Sequence, residues 1–188
     1  PYALKYGPSF GGVINFQTKD TDFQSEPAYM GYATVGYESN IGRQRYSGGL
    51  TRAGENWITR LHLARTATSD YEDGQGQQVQ GKFGNWEYTV ESSVSLSAKS
   101  TVSAQFSQGF TRDTEYPALM MDMREDNTSN LQLNYSGTSL VKDNSQLDAS
   151  LFVSWVDHLM DNHDRKMSNM MKAETDVQTD TKGYDISL

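Results

Sequence analysis

The sequence predicts an all-β fold, an antiparallel meander of about eight strands that forms part of a large transmembrane β-barrel. Three observations predict it. Apolar and polar residues alternate with a period of two along most of the chain, short and long connections alternate after a first tight turn between Tyr37 and Gln44, and aromatic residues flank the apolar faces. Alternation with a period of two is typical of strands that have one apolar and one polar face, and strands joined in series form a meander.

Eight stretches of the chain carry this alternation. Residues 146–155 show it clearly, with apolar side chains at 147, 149, 151, 153 and 155 and polar ones at 146, 148, 150 and 154, although Phe152 breaks the pattern. In chain order the predicted strands cover residues 29–37, 44–52, 57–67, 88–96, 102–111, 130–137, 146–155 and a last one from 174 that is unfinished at 188.

The connections between these stretches predict a barrel that spans the outer membrane. Short connections cover residues 53–56, 97–101 and 140–145, and long ones cover 69–80, 112–129 and 159–173. In outer-membrane barrels the short turns face the periplasm and the long loops face outside the cell. The predicted barrel would therefore lie in outer-membrane lipid, with the long connections outside.

Aromatic residues support the same prediction. Tyr29 and Tyr37 bracket the apolar positions of one strand, a span of about 26 Å, which is close to the apolar band of about 25 Å in such barrels. Trp57, Trp86, Tyr88 and Trp155 are predicted at strand ends, where an aromatic belt would lie.

Composition narrows the classes of function. The net charge of −8 argues against a nucleic-acid-binding surface, and the lack of cysteine excludes disulfides, thiolate metal sites and a cysteine nucleophile. Neither G-x-S-x-G nor H-E-x-x-H occurs, and the chain has three histidines. We therefore expect no enzyme activity and no bound cofactor.

Metal-binding side chains concentrate in residues 155–172, WVDHLMDNHDRKMSNMMK. His158 and Met160 are two apart on a strand, so they point to the same face, and their parity is that of the polar, lumen-facing positions. Thioether sulfur selects copper(I), and imidazole suits copper generally. The two are therefore candidate copper ligands. Four weaker candidates follow them in the next connection: His163, Met167, Met170 and Met171.

Other methionines and histidines favour simpler interpretations. Methionine in a loop more commonly packs than binds metal, so we expect Met120, Met121 and Met123 to pack within a loop. His62 shares the parity of Arg60 and is expected to line the lumen.

The stretch YGPSFGGVINFQTK, residues 6–19, resembles the end of the plug domain of TonB-dependent outer-membrane receptors. The match comprises a tyrosine–glycine step, a Gly-Gly-Val-Ile-Asn core and a final threonine–lysine: Tyr6, Gly7, Gly11, Gly12, Val13, Ile14, Asn15, Thr18 and Lys19. Residues 114–128 also resemble an extracellular loop of this family. The resemblance implies that residues 1–24 are the C-terminal end of a plug and that 25–188 are the N-terminal part of a barrel of about 22 strands.

VDHLMDN, residues 156–162, resembles the corresponding stretch of TonB-dependent copper receptors, in which a His-x-Met pair joins a Cys/Met pair from the plug. The resemblance implies an internal fragment of a monomeric active transporter in the outer membrane of a Gram-negative bacterium. It also implies that copper or a copper complex is the cargo. Energy would come from the TonB complex through a segment upstream of this chain.

Two alternatives to a copper transporter remain open from the sequence. The same class of transporter could carry a ferric siderophore or cobalamin. A soluble β-sandwich with a binding or adhesion role would also contain alternating strands with tyrosine and tryptophan.

Overall fold

The structure, a computed structural model, describes residues 22–138, 145–165 and 171–188. Eight strands form one antiparallel sheet in which each strand pairs with the next in the order β1-β2-β3-β6-β7-β8-β9-β10. They are β1 (Ala28–Glu38), β2 (Arg43–Ala53), β3 (Trp57–Thr68), β6 (Phe83–Ser97), β7 (Ser100–Thr114), β8 (Asp122–Thr138), β9 (Gln146–Asp161) and β10 (Glu174–Ser187). A small hairpin, β4 (Tyr71–Glu72) and β5 (Gln78–Val79), lies between β3 and β6. The predicted eight-stranded meander is confirmed.

The sheet is a single layer in the part of the chain that the structure describes. Among those residues the buried apolar side chains are Ala53, Ile58 and Met123, and the second sheet is the small β4–β5 hairpin. A β-sandwich buries a core between two large sheets. The sandwich alternative is therefore not supported. No helix in the described ranges is long and apolar enough to span a membrane.

The two faces of the sheet differ in chemistry. One, which we call the apolar face, exposes aliphatic and aromatic side chains to the surroundings: Tyr29, Val35, Tyr37, Tyr46, Leu50, Leu61, Leu63, Trp86, Val90, Val94, Leu133, Leu151 and Trp155. The other, the polar face, carries cross-strand polar pairs. Arg60 bonds Glu91 at 2.8 Å, and Asn134 donates to Ser103 at 3.2 Å. Neighbouring residues in a strand point to opposite sides of the sheet. The alternation of apolar and polar residues in the sequence therefore places the two kinds of side chain on opposite faces.

The strands are longer than the alternation predicts. β7 continues to Thr114 and β8 begins at Asp122, so the predicted long connection at 112–129 shrinks to residues 115–121. The loop expected over residues 114–128 is therefore wrong for 122–128, which belong to β8 and, apart from Arg124, pair in register with β9. This segment is polar on both faces, so it carries no alternation and was interpreted as loop.

Longer strands also change the expected positions of the aromatic residues. Trp86, Tyr88 and Trp155 lie inside β6 and β9 rather than at strand ends, whereas Trp57 does begin β3. β8 has 17 residues, which corresponds to about 56 Å of strand. Even at a tilt of about 45°, such a strand would extend well beyond an apolar band of about 25 Å.

The two ends of the sheet carry different connections. Residues 54–56 and 98–99 link strands at one end. The other, which we call the long-loop end, carries residues 69–82, 115–121 and 162–173 together with one tight turn at residues 39–42. The predicted short connection at 140–145 lies almost wholly outside the described residues. So does the stretch at 6–19.

Candidate functional site

His158 lies near the long-loop end of β9, on the polar face. It pairs in register with Asp126 of β8, and its Nδ1 atom lies 2.9 Å from Asp126 Oδ2. Both side chains are about one-third exposed. Asp126 fixes the orientation of the imidazole and leaves the other ring nitrogen, Nε2, as the one that a metal could take. A carboxylate on the second nitrogen is the usual partner of a metal-binding histidine, and it raises the basicity of the ligand.

Met160 lies two residues beyond His158 and shares its face, as the spacing predicts. Its partner on β8 is Met123, because the register shifts by one residue between Met123 and Glu125. This β-bulge leaves Arg124 as the extra residue. The bulge therefore places a second methionine directly opposite Met160 in the register, two residue pairs beyond His158 and Asp126.

Met123 is the potential ligand that sequence reasoning missed. It was expected to pack within a loop, but it lies in β8 and is 6% exposed. The hydroxyl of Tyr116 lies 4.0 Å from its sulfur and donates to it. The position of Met123 depends on a bulge that the residue pattern does not signal. The concentration of methionine at 120–123 was the one available signal.

His163 belongs to a different cluster, built on Asp161. Its backbone N–H donates to Asp161 Oδ1 at 3.0 Å, and its Nδ1 lies 3.4 Å from Asp161 Oδ2. One ligand atom each from Asp161, His163 and Glu174 lies within 4.8 Å of the others. However, Arg124 already pairs with the Asp161 carboxylate at 2.8 Å. Its guanidinium occupies the position that a cation would need, and Asp161 points to the face opposite Met160.

Of the other weaker candidates the structure describes Met171, which lies in the connection after β9 and not on the strand that carries His158 and Met160. Met171 is 86% exposed, and its carbonyl accepts a hydrogen bond from Asn162 Nδ2 at 2.9 Å. Met167 and Met170 lie outside the described residues.

Two connections at the long-loop end are joined by an ion pair. Arg165 donates through Nε to Asp122 Oδ2 at 2.8 Å, through Nη2 to Asp122 Oδ1, and also to the carbonyl of Tyr116. The N–H of Tyr116 donates to Asp122 Oδ1 at 3.0 Å. Asp122 precedes Met123, so this ion pair anchors both connections beside the two methionines.

His62 lines the polar face of β3, as expected from its parity. Its Nδ1 lies 2.6 Å from the hydroxyl of Tyr32, whose ring lies over Gly49, where an added Cβ would collide with it. The register places Gly49 and Thr89 beside His62. His62 therefore has an oriented imidazole without a thioether on the neighbouring strands.

The comparisons with known proteins show the fold. No protein-family model matches the sequence, and no curated protein matches it. Among solved structures, the chain is similar to the copper transporter OprC, with a TM-score of 0.82 and 20% sequence identity. The alignment covers 91% of this chain and 27% of that one. The meander thus has the fold of about a quarter of that transporter.

Proposed function

We propose that this chain is a segment of a TonB-dependent outer-membrane transporter whose cargo is copper or a copper complex. The observation that supports copper as the cargo is a group of copper-binding side-chain types on one face of the sheet. His158 and Met160 share the polar face near the long-loop end, with Asp126 and Met123 opposite them. The similarity in fold to a protein named as a copper transporter supports the same class of function.

The exposed apolar face of the sheet supports a location in the membrane. Val35 and Leu63, for example, are 74% and 52% exposed. A broad apolar surface of this kind on one side of a single sheet needs a cover, and lipid covers the outside of a transmembrane barrel. The polar face would then line the lumen, and the long-loop end would lie outside the cell. The implied location is the outer membrane of a Gram-negative bacterium.

The arrangement of the whole transporter is part of this proposal. Residues 1–24 would end a plug domain, and residues 25–188 would begin a barrel of about 22 strands, in which further strands pair with the free edges of β1 and β10. The receptor would be monomeric, and the TonB complex would act on a segment upstream of this chain.

The chemistry of copper capture follows from the donors on the polar face. His158 would bind through Nε2, with Asp126 holding Nδ1, and Met160 would supply a thioether. Met123 would supply a second thioether. Two sulfurs and one imidazole favour copper(I) over harder cations. A Cys/Met pair from the plug, expected from the family resemblance, would complete the site.

The test is copper(I) affinity, measured by competition with a chromophoric chelator on the full-length protein in detergent. His158→Ala and Met160→Ala should each weaken binding at least tenfold, and Met123→Leu should weaken it less. His62→Ala is a matched control, because it removes an oriented histidine of the same face that has no thioether beside it. Met120→Leu removes an exposed methionine, 68% accessible, and should have no effect.

Two results would count against the proposal. If copper affinity is unchanged in both His158→Ala and Met160→Ala, these residues are not copper ligands. If the full-length protein is folded and monomeric without detergent, it is not a transmembrane barrel.

A further inference from the structure

Three cationic side chains gather on the apolar face near the long-loop end. Arg65 ends the exposed apolar row of β3, Arg112 lies near the end of β7, and Lys82 precedes β6. By register, Arg65 stands beside Trp86, and the next pair on the same face is Ala67 beside Gly84. The register also places single cations, Arg52 and Lys182, elsewhere on this face, but a group of three on a largely apolar face requires an explanation.

The cations surround a shallow depression. Its floor includes the small residue Gly84, where an added Cβ would meet only the carbonyl oxygen of Arg112, at 4.0 Å. Trp86 and Phe110, paired in register, bound it on the side of the apolar band. The lining has its cations, Arg65, Lys82 and Arg112, toward the long-loop end and its aromatic residues toward the apolar band, and it also includes the acidic residues Glu87 and Asp113.

Arg65 is the cation that remains available for a ligand. Lys82 lies 3.6 Å from Glu115, and Arg112 lies 3.2 Å from Glu125. The guanidinium of Arg65 stacks over the ring of Trp86 at 4.8 Å, and within the described residues no carboxylate pairs with it. The stacking holds Arg65 against the sheet, which preorganises its donors at lower entropic cost than a free side chain.

We propose that this depression binds the phosphorylated headgroup of an outer-leaflet glycolipid of the lipid A class. The phosphate would be held by Arg65 and Lys82, with Arg112 on the far side, and the acyl chains would run down the apolar face along Leu63 and Tyr88. Charge complementarity selects the phosphate, and the position of the cations at the upper boundary of the apolar band selects a membrane lipid over a soluble anion. This inference depends on the proposed membrane location but not on the copper site.

The experiment is native mass spectrometry of the full-length protein, purified in detergent and titrated with diphosphorylated lipid A. Each basic residue near a charged lipid contributes about a fivefold effect. The double variant R65Q/K82Q should therefore bind about 30-fold less lipid A. The matched control is Arg52→Gln, because Arg52 also stacks on an aromatic ring of the apolar face, Trp57 at 4.4 Å, but at the opposite end of the sheet.

The outcomes separate this inference from the proposed function. Loss of lipid A binding in R65Q/K82Q with retention in Arg52→Gln supports the site, and copper affinity should be unchanged in both. Equal binding by all three proteins would overturn it, and so would equal binding of lipid A stripped of its phosphates or equal competition by inorganic phosphate. A protein that fractionates without detergent would instead contradict the proposed function.

Discussion

Removal of the Arg165 guanidinium should release the two connections at the long-loop end. The side chains of Arg165 and Asp122 are 13% and 7% exposed, and the two make a bidentate pair. In Arg165→Met the Asp122 carboxylate would keep the N–H of Tyr116 as its hydrogen-bond donor but would lose its counter-charge.

The magnitude follows from burial. Breaking a fully buried ion pair by removing one partner costs about 3–5 kcal/mol. The residual exposure of Arg165 lets some water reach Asp122, so we expect about 3 kcal/mol. That free energy corresponds to an opening equilibrium about 150 times more populated.

The assay is native-state hydrogen exchange of the Tyr116 amide in the full-length protein. Arg165→Met should speed exchange about 150-fold, whereas Arg43→Met, which breaks the exposed pair with Glu38, should change protection by less than about 1 kcal/mol. Adding Asp122→Asn to Arg165→Met should restore much of the protection, because no unpaired charge remains. Unchanged exchange in Arg165→Met, or an equal change in the Arg43 control, would refute this account of the ion pair.

Three further predictions concern the site, the loop and the membrane. Asp126→Asn should weaken copper(I) binding 10- to 100-fold by releasing the imidazole of His158; chelator competition measures this, and an unchanged affinity would show that Asp126 does not orient the ligand. Burial and the nearby carboxylate of Asp70 raise the pKa of Glu115, so its contribution to stability is present below the ordinary glutamate pKa, about 4, and is lost as the pH rises through the higher folded-state pKa. Glu115→Gln should therefore stabilise residues 115–121 at neutral pH but not in acid, and hydrogen exchange at both pH values tests the sign. On the apolar face, Val90→Lys should reduce barrel stability in lipid by about 2–4 kcal/mol, whereas Thr89→Lys on the polar face should cost much less; equal effects in denaturant titrations would contradict the assignment of faces.

The sequence was sufficient to predict the starts of most strands that have one apolar face, although β6 begins five residues before its predicted start. β1, β2, β3 and β9 begin within a residue of their predicted starts, because alternation records which side chains must meet an apolar surround. The start of β8 was missed for the same reason. Its first residues, DMREDNTS, are mostly polar on both faces and are held by cross-strand pairing, which leaves no periodic signal.

The sequence could predict only the part of the candidate copper site that lies on β9. His158 and Met160 share a face by spacing alone, but Asp126 and Met123 reach them from a strand more than 30 positions earlier in the sequence. The register that pairs Met123 with Met160 depends on the bulge at Arg124. The pairing of Arg165 with Asp122 joins segments that are 43 residues apart. Such contacts are set by tertiary structure, and residue spacing in a single sequence does not encode them.

X-ray absorption at the copper edge of the copper(I)-loaded full-length protein tests directly whether His158 and Met160 bind copper. We expect a first coordination sphere that contains sulfur and one imidazole. The imidazole contribution should disappear in His158→Ala and remain in His62→Ala. A sphere made of oxygen and nitrogen alone, or a spectrum unchanged in His158→Ala, would contradict the assignment of His158 and Met160 as copper ligands.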